Sequence, residues 1–316
     1  MIYDQYLLFT SRPAGKQFSF GNKSPQAVKD FLAYAKTTWK KTPGYVLLAG
    51  DATYDAKNYL GFGEQDLVPT KLVDTQLMEA ASDDWLADFD ADGIADLAIG
   101  RLPARSGEEL GAMVKKIIGY ERAEASGSML LVADSNEGFD FEAATSRLHA
   151  LIPGNLRVAR INRGQMEGAE ARKQLLEAIA LGQKVINYTG HGSANQWRGS
   201  LLTNEDVGSL TNGERMPVFV MMTCLNGYFD DPALDSLAES LLKVEGGGAV
   251  AVWASSGITL PDAQSQMNEQ LYRLLFGTNG QAMRLGDAAG RAKSAISDGD
   301  IRRTWVLLGD PTMRLK

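Results

Sequence analysis

Lys184-Val-Ile-Asn-Tyr-Thr-Gly-His-Gly192 and Pro217-Val-Phe-Val-Met-Met-Thr-Cys224 are two short apolar stretches, and each delivers one reactive side chain at its end. Both lead directly into polar or glycine-containing segments, which is typical of buried parallel strands that open into loops. The chain contains one cysteine and two histidines. Because open α/β sheets carry their chemistry in loops at the carboxyl ends of strands, we expect His191 and Cys224 to lie together.

The two residues have the chemistry of an activated thiol nucleophile. A free thiol has a pKa of about 8.5 and is mostly protonated at neutral pH, so a cysteine nucleophile needs a base or cation beside it. His191 can serve Cys224 as general base and general acid. The flanking Gly190 and Gly192 allow tight backbone geometry. We expect the main-chain amides of Gly192 and Cys224 to donate hydrogen bonds to a developing oxyanion.

These stretches belong to a series of motifs that resembles the gingipain-like cysteine peptidases, a family with a caspase-like fold. In chain order, the motifs are Gly50-Asp-Ala-Thr-Tyr-Asp55, Ile99-Gly-Arg-Leu-Pro103, Asn187-Tyr-Thr-Gly-His-Gly-Ser193, Thr223-Cys-Leu-Asn-Gly227, Ser236-Leu-Ala-Glu-Ser-Leu-Leu242, Gly248-Ala-Val-Ala-Val-Trp-Ala-Ser255 and Leu308-Gly-Asp-Pro-Thr-Met313. The resemblance covers nearly the whole chain from about Phe18. It implies a cysteine endopeptidase that acts on protein or peptide substrates and is secreted or held at the cell surface.

The resemblance assigns an orienting role to one aspartate. In the family, the strand that corresponds to Met129–Ala133 ends in an acid that orients the catalytic histidine, and Asp134 occupies the matching place. A carboxylate that accepts the imidazole N–H fixes its tautomer and favours the imidazolium beside a thiolate. The alternative is that Asp134 is a polar loop acid without a catalytic role.

Two further residues are candidates for substrate binding. In the lysine-preferring members of the family, a specificity acid follows the cysteine at nearly the spacing that separates Cys224 from Asp262, which implies cleavage after basic residues. The alternative is that Pro261-Asp262 caps the helix that follows. Trp197 lies in the polar loop after His191, where an aromatic side chain can shape a substrate cleft.

Asp88-Phe-Asp90-Ala-Asp92-Gly93-Ile-Ala-Asp96 is a candidate calcium loop. Aspartates at alternate positions followed by glycine can turn their carboxylates around a hard cation. Ile99 stands where an EF-hand has its bidentate glutamate, so the loop is not an EF-hand, and an acidic solvated turn is the alternative. The ion would be structural, because nothing nucleophilic lies near it in sequence, and we expect no cofactor in catalysis.

His149 is the only rival base. It lies near the end of a predicted helix from Phe141 to Leu151, where a histidine usually serves packing or the helix dipole. A zinc site built from both histidines and Cys224 lacks the usual ligand-pair spacing. Metal-dependent hydrolysis is therefore a weak alternative.

Composition agrees with an enzyme but does not select one. The chain has 316 residues, 44% of them hydrophobic, and a net charge of -7 without a basic run, which argues against nucleic acid as a partner. No apolar stretch approaches the ~20 residues of a membrane span, and the first ten residues lack the basic region and apolar core of a signal peptide. A single cysteine cannot form an internal disulfide framework.

The alternation of strands and helices predicts an α/β protein. With the family resemblance, we expect a caspase-like architecture of two subdomains, each with a mainly parallel sheet flanked by helices. A linker pattern at Ala123-Glu-Ala-Ser-Gly-Ser128 predicts an N-terminal subdomain of residues 1–125 and a catalytic subdomain of residues 126–316.

Two other functional hypotheses remain open at this point. A sortase-like transpeptidase of a protein secretion system would use the same cysteine and histidine but transfer the acyl group to an amine. A non-catalytic secretion or surface module would keep the fold without the reaction, although intact His191 and Cys224 argue against it.

Overall fold

The computed structural model describes residues 6–9, 18, 22–124, 126–213, 215–277 and 283–316. Its strands, in chain order, are β1 (Tyr6–Phe9), β2 (Tyr45–Ala49), β3 (Lys71–Asp74), β4 (Glu79–Ser82), β5 (Ala98–Leu102), β6 (Ser128–Ala133), β7 (Arg157–Asn162), β8 (Val185–Thr189), β9 (Gly192–Ser193), β10 (Gln196–Trp197), β11 (Val218–Met222), β12 (Ala251–Ser255) and β13 (Trp305–Leu308). Its α-helices are α1 (Pro25–Thr38), α2 (Asp84–Ala87), α3 (Gly107–Arg122), α4 (Phe141–His149), α5 (Gly168–Leu181), α6 (Asn204–Val207), α7 (Leu237–Lys243), α8 (Pro261–Leu275), α9 (Leu285–Lys293) and α10 (Gly299–Thr304).

One large sheet organises the described residues. It has nine strands in the order β1-β2-β5-β13-β12-β11-β8-β6-β7. Neighbouring strands are parallel except for β12 and β13, which are antiparallel. Two short antiparallel pairs, β3–β4 and β9–β10, stand apart from it. The predicted α/β class with mainly parallel strands is confirmed.

The two predicted halves share this sheet and do not form two separate ones. Strand β13, from the C-terminal half, lies between β12 and the N-terminal β5, and it pairs with β5 at Leu308 and Arg101. Ala125, at the predicted boundary, lies outside the described residues. The division into 1–125 and 126–316 stays a prediction. Most of the first 21 residues, where the sequence lacks signal-peptide features, are likewise outside the description.

The centre of the sheet is buried on both faces. Every residue of β8, β11 and β12 is buried, which explains why these strands read as nearly continuous apolar runs. An aromatic stack of Trp197 on Tyr188, with ring centroids 4.1 Å apart, extends the core beneath the loop that follows β8. The carboxyl ends of these strands are therefore held on a rigid support.

Local sequence signals set several helix starts. Ser24 accepts a hydrogen bond from the Ala27 N–H, and Pro25 follows it at the first helical position of α1, as the Ser-Pro pair predicts. At α7, Ser236 and Glu239 form a reciprocal capping box, which fixes the helix that follows the Cys224 loop.

A buried ion pair supports the N-terminal half of the sheet. The Arg101 guanidinium donates two hydrogen bonds of 2.7 Å to Asp83, and both side chains are almost fully buried. Arg101 also donates to the carbonyls of Gly50 and Val68. Its guanidinium lies 4.9 Å from the ring centroid of Phe229, which belongs to the loop after Cys224. The pair thus links the N-terminal half to the loop after Cys224.

Within the described ranges, no helix combines the length and apolar character that crossing a bilayer requires.

Candidate active site

The strand register aligns the two reactive residues. Strand β8 pairs in parallel with β11 up to Thr189 and Met222, and His191 and Cys224 each follow that pair by two residues. The Gly190 N–H donates a hydrogen bond of 3.1 Å to the Met222 carbonyl, which continues the ladder one step further. Because parallel strands end at one edge of a sheet, both residues emerge at the same edge.

A loop after β12 holds the Cys224 sulfur. The thiol is partly buried, and its Sγ lies 3.3 Å from the Thr259 carbonyl oxygen as donor and 3.4 Å from the Thr259 main-chain nitrogen as acceptor. The next residue, Leu225, has a φ of 62°, a left-handed conformation that costs a leucine about 1–3 kcal/mol. Its N–H donates to the Gly257 carbonyl at 3.1 Å. The strained turn and the β12 loop together fix the direction of the thiol.

The His191 main chain is fixed while its side chain stays exposed. The His191 carbonyl accepts hydrogen bonds from the Tyr188 hydroxyl at 2.7 Å and from the Arg198 N–H at 2.9 Å. Burial raises the pKa of Tyr188 well above 10, with the nearby Asp134 charge a smaller cause, so this hydroxyl remains a donor. The imidazole packs edge-on against the Phe141 ring, with ring centroids 5.3 Å apart. The His191 side chain is otherwise exposed to solvent. The imidazole is therefore accessible from the solvent side.

Gly192 lies too close to the Cys224 segment for any side chain. A Cβ atom there would be 2.7 Å from the Thr223 hydroxyl oxygen and 3.0 Å from the Gln196 carbonyl oxygen. Nearby, the Asn226 amide donates to the Ser193 carbonyl at 2.6 Å. The β9–β10 turn after His191 therefore packs directly on the chain around Cys224. The oxyanion roles of the Gly192 and Cys224 amides stay predictions.

Asp134 supports His191 through the backbone. Its carboxylate is fully buried and accepts hydrogen bonds from the His191 N–H at 3.1 Å, the Ser135 N–H at 2.8 Å and the Arg163 guanidinium at 2.7 Å. Among the described residues, a hydrogen bond from the imidazole to this carboxylate is not present. The sequence predicted that this carboxylate accepts the imidazole N–H. Instead, Arg163 and two main-chain amides donate to it.

Arg163 is a site residue that sequence reasoning missed. It directly follows β7, the neighbour of β6, and so it reaches the same edge of the sheet as Asp134. The rule that places chemistry at the carboxyl ends of parallel strands could have identified it.

Trp197 does not line a cleft, so the expectation of a substrate-contacting aromatic is corrected. Its side chain has 0% exposure, and its ring lies parallel to Tyr188 and tilted against Phe219. The β9–β10 turn points the indole inward. Trp197 therefore supports the His191 loop from within the core.

Asp262 lies in the first turn of α8 and is exposed. Leu260 is the N-cap residue, and Pro261 takes the first helical position, so Asp262 contributes charge to the helix N-terminus without being the cap itself. It stands three residues after Thr259, which contacts the Cys224 sulfur. The carboxylate therefore belongs to the segment beside the thiol.

His149 takes the place expected of a structural histidine. It is exposed in the last turn of α4, where a basic side chain complements the helix dipole.

Three of the four predicted calcium ligands come together. Asp88, Asp90 and Asp96 each offer a carboxylate oxygen, and these oxygens lie within 4.8 Å of one another. Asp88 is 5% exposed; one of its oxygens accepts the Gly93 N–H at 3.0 Å, and the other is buried without a hydrogen-bond partner. A buried carboxylate oxygen without a donor suits a cation ligand.

Asp92 does not belong to this group. Its carboxylate accepts the Ile94 N–H at 2.8 Å and thereby shapes the turn. At Asp96, the Lys36 ammonium lies 2.8 Å from one oxygen, and this pairing is the largest cause lowering the Asp96 pKa, which burial partly opposes. A cation here would share Asp96 with Lys36.

The loop after Cys224 also carries a buried, uncompensated acid. Asp230 is 2% exposed, and its Oδ1 has no partner among the described residues. Burial raises the pKa of Asp230 from 3.8 to about 7, and the charge of Asp51 adds to the rise. This carboxyl is therefore poised to titrate near neutral pH.

Known proteins resemble this chain over most of its length. The family model for peptidase family C25 matches residues 6–316. Gingipain R2 and gingipain R1 of Porphyromonas gingivalis are each 26% identical over 247 residues, or 70% of this chain. The chain spans 33% of that gingipain R2 and 24% of that gingipain R1, so it corresponds to a third or less of these relatives.

Solved structures show the same fold. The Arg-specific cysteine proteinase gingipain R superposes with a TM-score of 0.79 at 22% identity, covering 93% of this chain and 69% of that one. The Saccharomyces cerevisiae separase–securin complex matches with a TM-score of 0.50 at 14% identity, over 68% of this chain and 14% of that one. The predicted caspase-like fold class is confirmed. With the family model matching almost its whole length, the chain belongs to peptidase family C25 and is gingipain-like, as its motifs predicted.

Proposed function

We propose that this chain is a cysteine endopeptidase that hydrolyses peptide bonds through Cys224 and His191. The observation that carries the proposal is the β8–β11 register, because both residues follow the last paired residues, Thr189 and Met222, by two positions. Membership of a peptidase family supports a protein or peptide substrate. The likeness to gingipains supports a secreted or cell-surface location.

In the proposed reaction, the Cys224 thiol transfers its proton to His191, and the sulfur attacks the carbonyl carbon of the scissile bond. The amides of Gly192 and Cys224 donate to the oxyanion of the tetrahedral intermediate. The C–N bond then breaks, and His191 gives its proton to the leaving amine. Water then loses a proton to His191 and attacks the thioester carbon. The C–S bond breaks as the carboxylic acid product leaves, and His191 returns the proton to the sulfur.

The central test is cleavage of a diverse peptide library, read by mass spectrometry. We expect Cys224→Ala and His191→Ala to abolish cleavage while their melting curves keep the wild-type shape. His149→Ala is the matched control, since it removes the other histidine at an exposed helix end, and it should cleave normally. Wild-type cleavage by Cys224→Ala would refute the proposal.

The same assay separates the two remaining alternatives. In the presence of a peptide amine, a transpeptidase would give products whose masses include the amine in place of water. A non-catalytic module would give no cleavage. A thiol-directed peptide probe would then label Cys224 no faster than it labels an ordinary free thiol.

We further propose that Asp262 favours a basic residue before the scissile bond. One structural relative is described as Arg-specific, and Asp262 lies in the segment that contacts the Cys224 sulfur. Because its carboxylate is exposed, we expect a modest preference unless the substrate itself buries it. The test is kcat/KM for matched substrates with Lys, Arg, Gln and Leu. Equal turnover of the Lys and Leu substrates, or a basic preference that survives Asp262→Ala, would eliminate this role.

We also propose that Asp88, Asp90 and Asp96 hold a structural Ca2+ ion. The supporting observation is the buried Asp88 oxygen without a donor beside two other carboxylates. An ion that binds only the folded state stabilises it by about 2.7 kcal/mol when free calcium is 100 times Kd. Chelation should therefore lower the melting temperature, and millimolar calcium should restore it.

The matched control comes from the same loop. Asp88→Asn should remove the calcium dependence of the melting temperature, while Asp92→Asn should keep it, because Asp92 serves the turn. Identical melting curves of the wild type with chelator and with calcium would argue against the site.

A further inference from the structure

A buried side-chain hydrogen bond anchors the β12 loop to α8. The Gln264 amide donates a hydrogen bond of 2.7 Å to the Thr259 hydroxyl. Gln264 is 3% exposed and Thr259 is 7% exposed, so water cannot readily replace this bond. Thr259 in turn meets the Cys224 sulfur with both its main-chain N–H and its carbonyl. Thr259 therefore connects α8, through its hydroxyl, to the thiol, through its main chain.

We propose that Gln264 is a positioning residue for Cys224. It fixes Thr259, and Thr259 sets the position and direction of the Cys224 sulfur. This inference rests on the proposed function only in naming Cys224 as the nucleophile.

The two Thr259 groups act oppositely on the sulfur. The carbonyl accepts from the S–H and so favours the neutral thiol, whereas the N–H donates to sulfur and favours the thiolate. A hydrogen bond to a charged group is the stronger of the two kinds, so a variant that displaces the Thr259 N–H should disfavour the thiolate. The far end of the loop is held separately, by hydrogen bonds between Ser255 and Gly257. Gln264 is therefore the side chain that controls the Thr259 end.

The experiment measures alkylation of Cys224 by iodoacetamide as a function of pH. The chain contains one cysteine, so the rate reports this thiol alone. Gln264→Ala and Thr259→Val each remove one side of the anchor, while Thr259→Ser keeps the hydroxyl. We expect the midpoint of the alkylation profile to rise by about half to one pH unit in Gln264→Ala and Thr259→Val. Thr259→Ser should behave like the wild type.

The double variant Gln264→Ala/Thr259→Val should shift the midpoint no further than either single change, because both break the same bond. The other titratable groups on the segments that meet at Cys224 include His191, Asp262, Tyr228, Asp230 and Asp231. None is altered by these variants, so the shift reports the anchor.

A purely structural role predicts a different result. If Gln264→Ala lowered the melting temperature but left the alkylation midpoint unchanged, the positioning role would be wrong. Additive shifts in the double variant would also overturn it. Alkylation does not require substrate cleavage, so a chain that fails to cleave peptides refutes the proposed function without deciding this inference, and the reverse holds as well.

Discussion

Removing the Asp134 charge should destabilise the whole protein as well as the site. The carboxylate is fully buried, and its partner Arg163 has a side-chain exposure of only 19%. Breaking a buried ion pair by deleting one partner costs about 3–5 kcal/mol, because the other charge stays buried and unpaired. Asp134→Ala should therefore lower the free energy of unfolding by about that amount.

Asp134→Asn is the more informative change because it keeps the volume. The new amide NH2 group must face either the Arg163 guanidinium or the His191 N–H. Both of these groups are hydrogen-bond donors, so neither can accept a hydrogen bond from it. An unsatisfied buried pairing of this kind costs about 1–3 kcal/mol. The loss should appear in urea unfolding as a lower midpoint at unchanged m-value. We also expect a lower kcat/KM, because the His191 backbone loses the acceptor that fixes it.

Arg163→Met provides the partner for a double-mutant cycle. If the carboxylate acts through Arg163 and the backbone, Asp134→Asn and Arg163→Met should couple by more than about 0.5 kcal/mol in stability. The contrary result is clear. If Asp134→Asn unfolds like the wild type while the pH profile of kcat/KM shifts, the carboxylate acts on the imidazole ring, and our reading of its hydrogen bonds is wrong.

Three further changes test other parts of the structure. Gly192→Ala should lower kcat/KM by at least about tenfold, because its Cβ would lie 2.7 Å from the Thr223 hydroxyl and must push the His191 turn away. Alkylation of Cys224 should still be measurable in this variant. Unchanged kinetics would contradict the close approach. Arg101→Met should reduce the free energy of unfolding by about 3–5 kcal/mol, since it leaves Asp83 buried without its guanidinium, and adding Asp83→Asn should recover part of the loss. The pKa of Asp230 is raised from 3.8 to about 7 by burial, so its contribution to stability is full below about pH 4 and is lost as pH rises to about 7. At about 1.4 kcal/mol per pH unit the loss approaches 4 kcal/mol, and Asp230→Asn should flatten this part of the stability curve; an unchanged slope would refute the assignment.

The reactive strand ends could be identified from sequence because several signals agree there. Apolar runs that end in His191 and Cys224 indicate strands, and parallel strands meet at one edge, so chemistry and geometry point to the same place. In the acidic loop, the carboxylates of Asp88, Asp90 and Asp96 lie close together, as the spacing predicted. The Asp92 carboxylate instead accepts a hydrogen bond from the Ile94 N–H. Alternate spacing alone does not say which carboxylates face inward.

The contacts that tune the site were harder to foresee. Thr259 contacts the sulfur through its main chain, 35 residues from Cys224, so the sequence gives no direct signal of that contact. The inward orientation of Trp197 depends on the pairing of β9 with β10. Strands of two residues are too short to be predicted from the sequence pattern. Arg163 donates a hydrogen bond to the Asp134 carboxylate, which the imidazole was expected to bind. This contact depends on the pairing of β6 with β7, which places the ends of the two strands side by side.

Strand β13 gives the sheet an unusual order of assembly. Its neighbours β5 and β12 are synthesised earlier, yet β13 must enter between them. Until residues 305–308 leave the ribosome, both neighbours expose unpaired edges, which are sites for aggregation. The ladder between the two halves also closes over a long stretch of chain, since Arg101 and Leu308 are joined only at that stage. The facing edges of β5 and β12 therefore stay open to mispairing until residues 305–308 can pair with them.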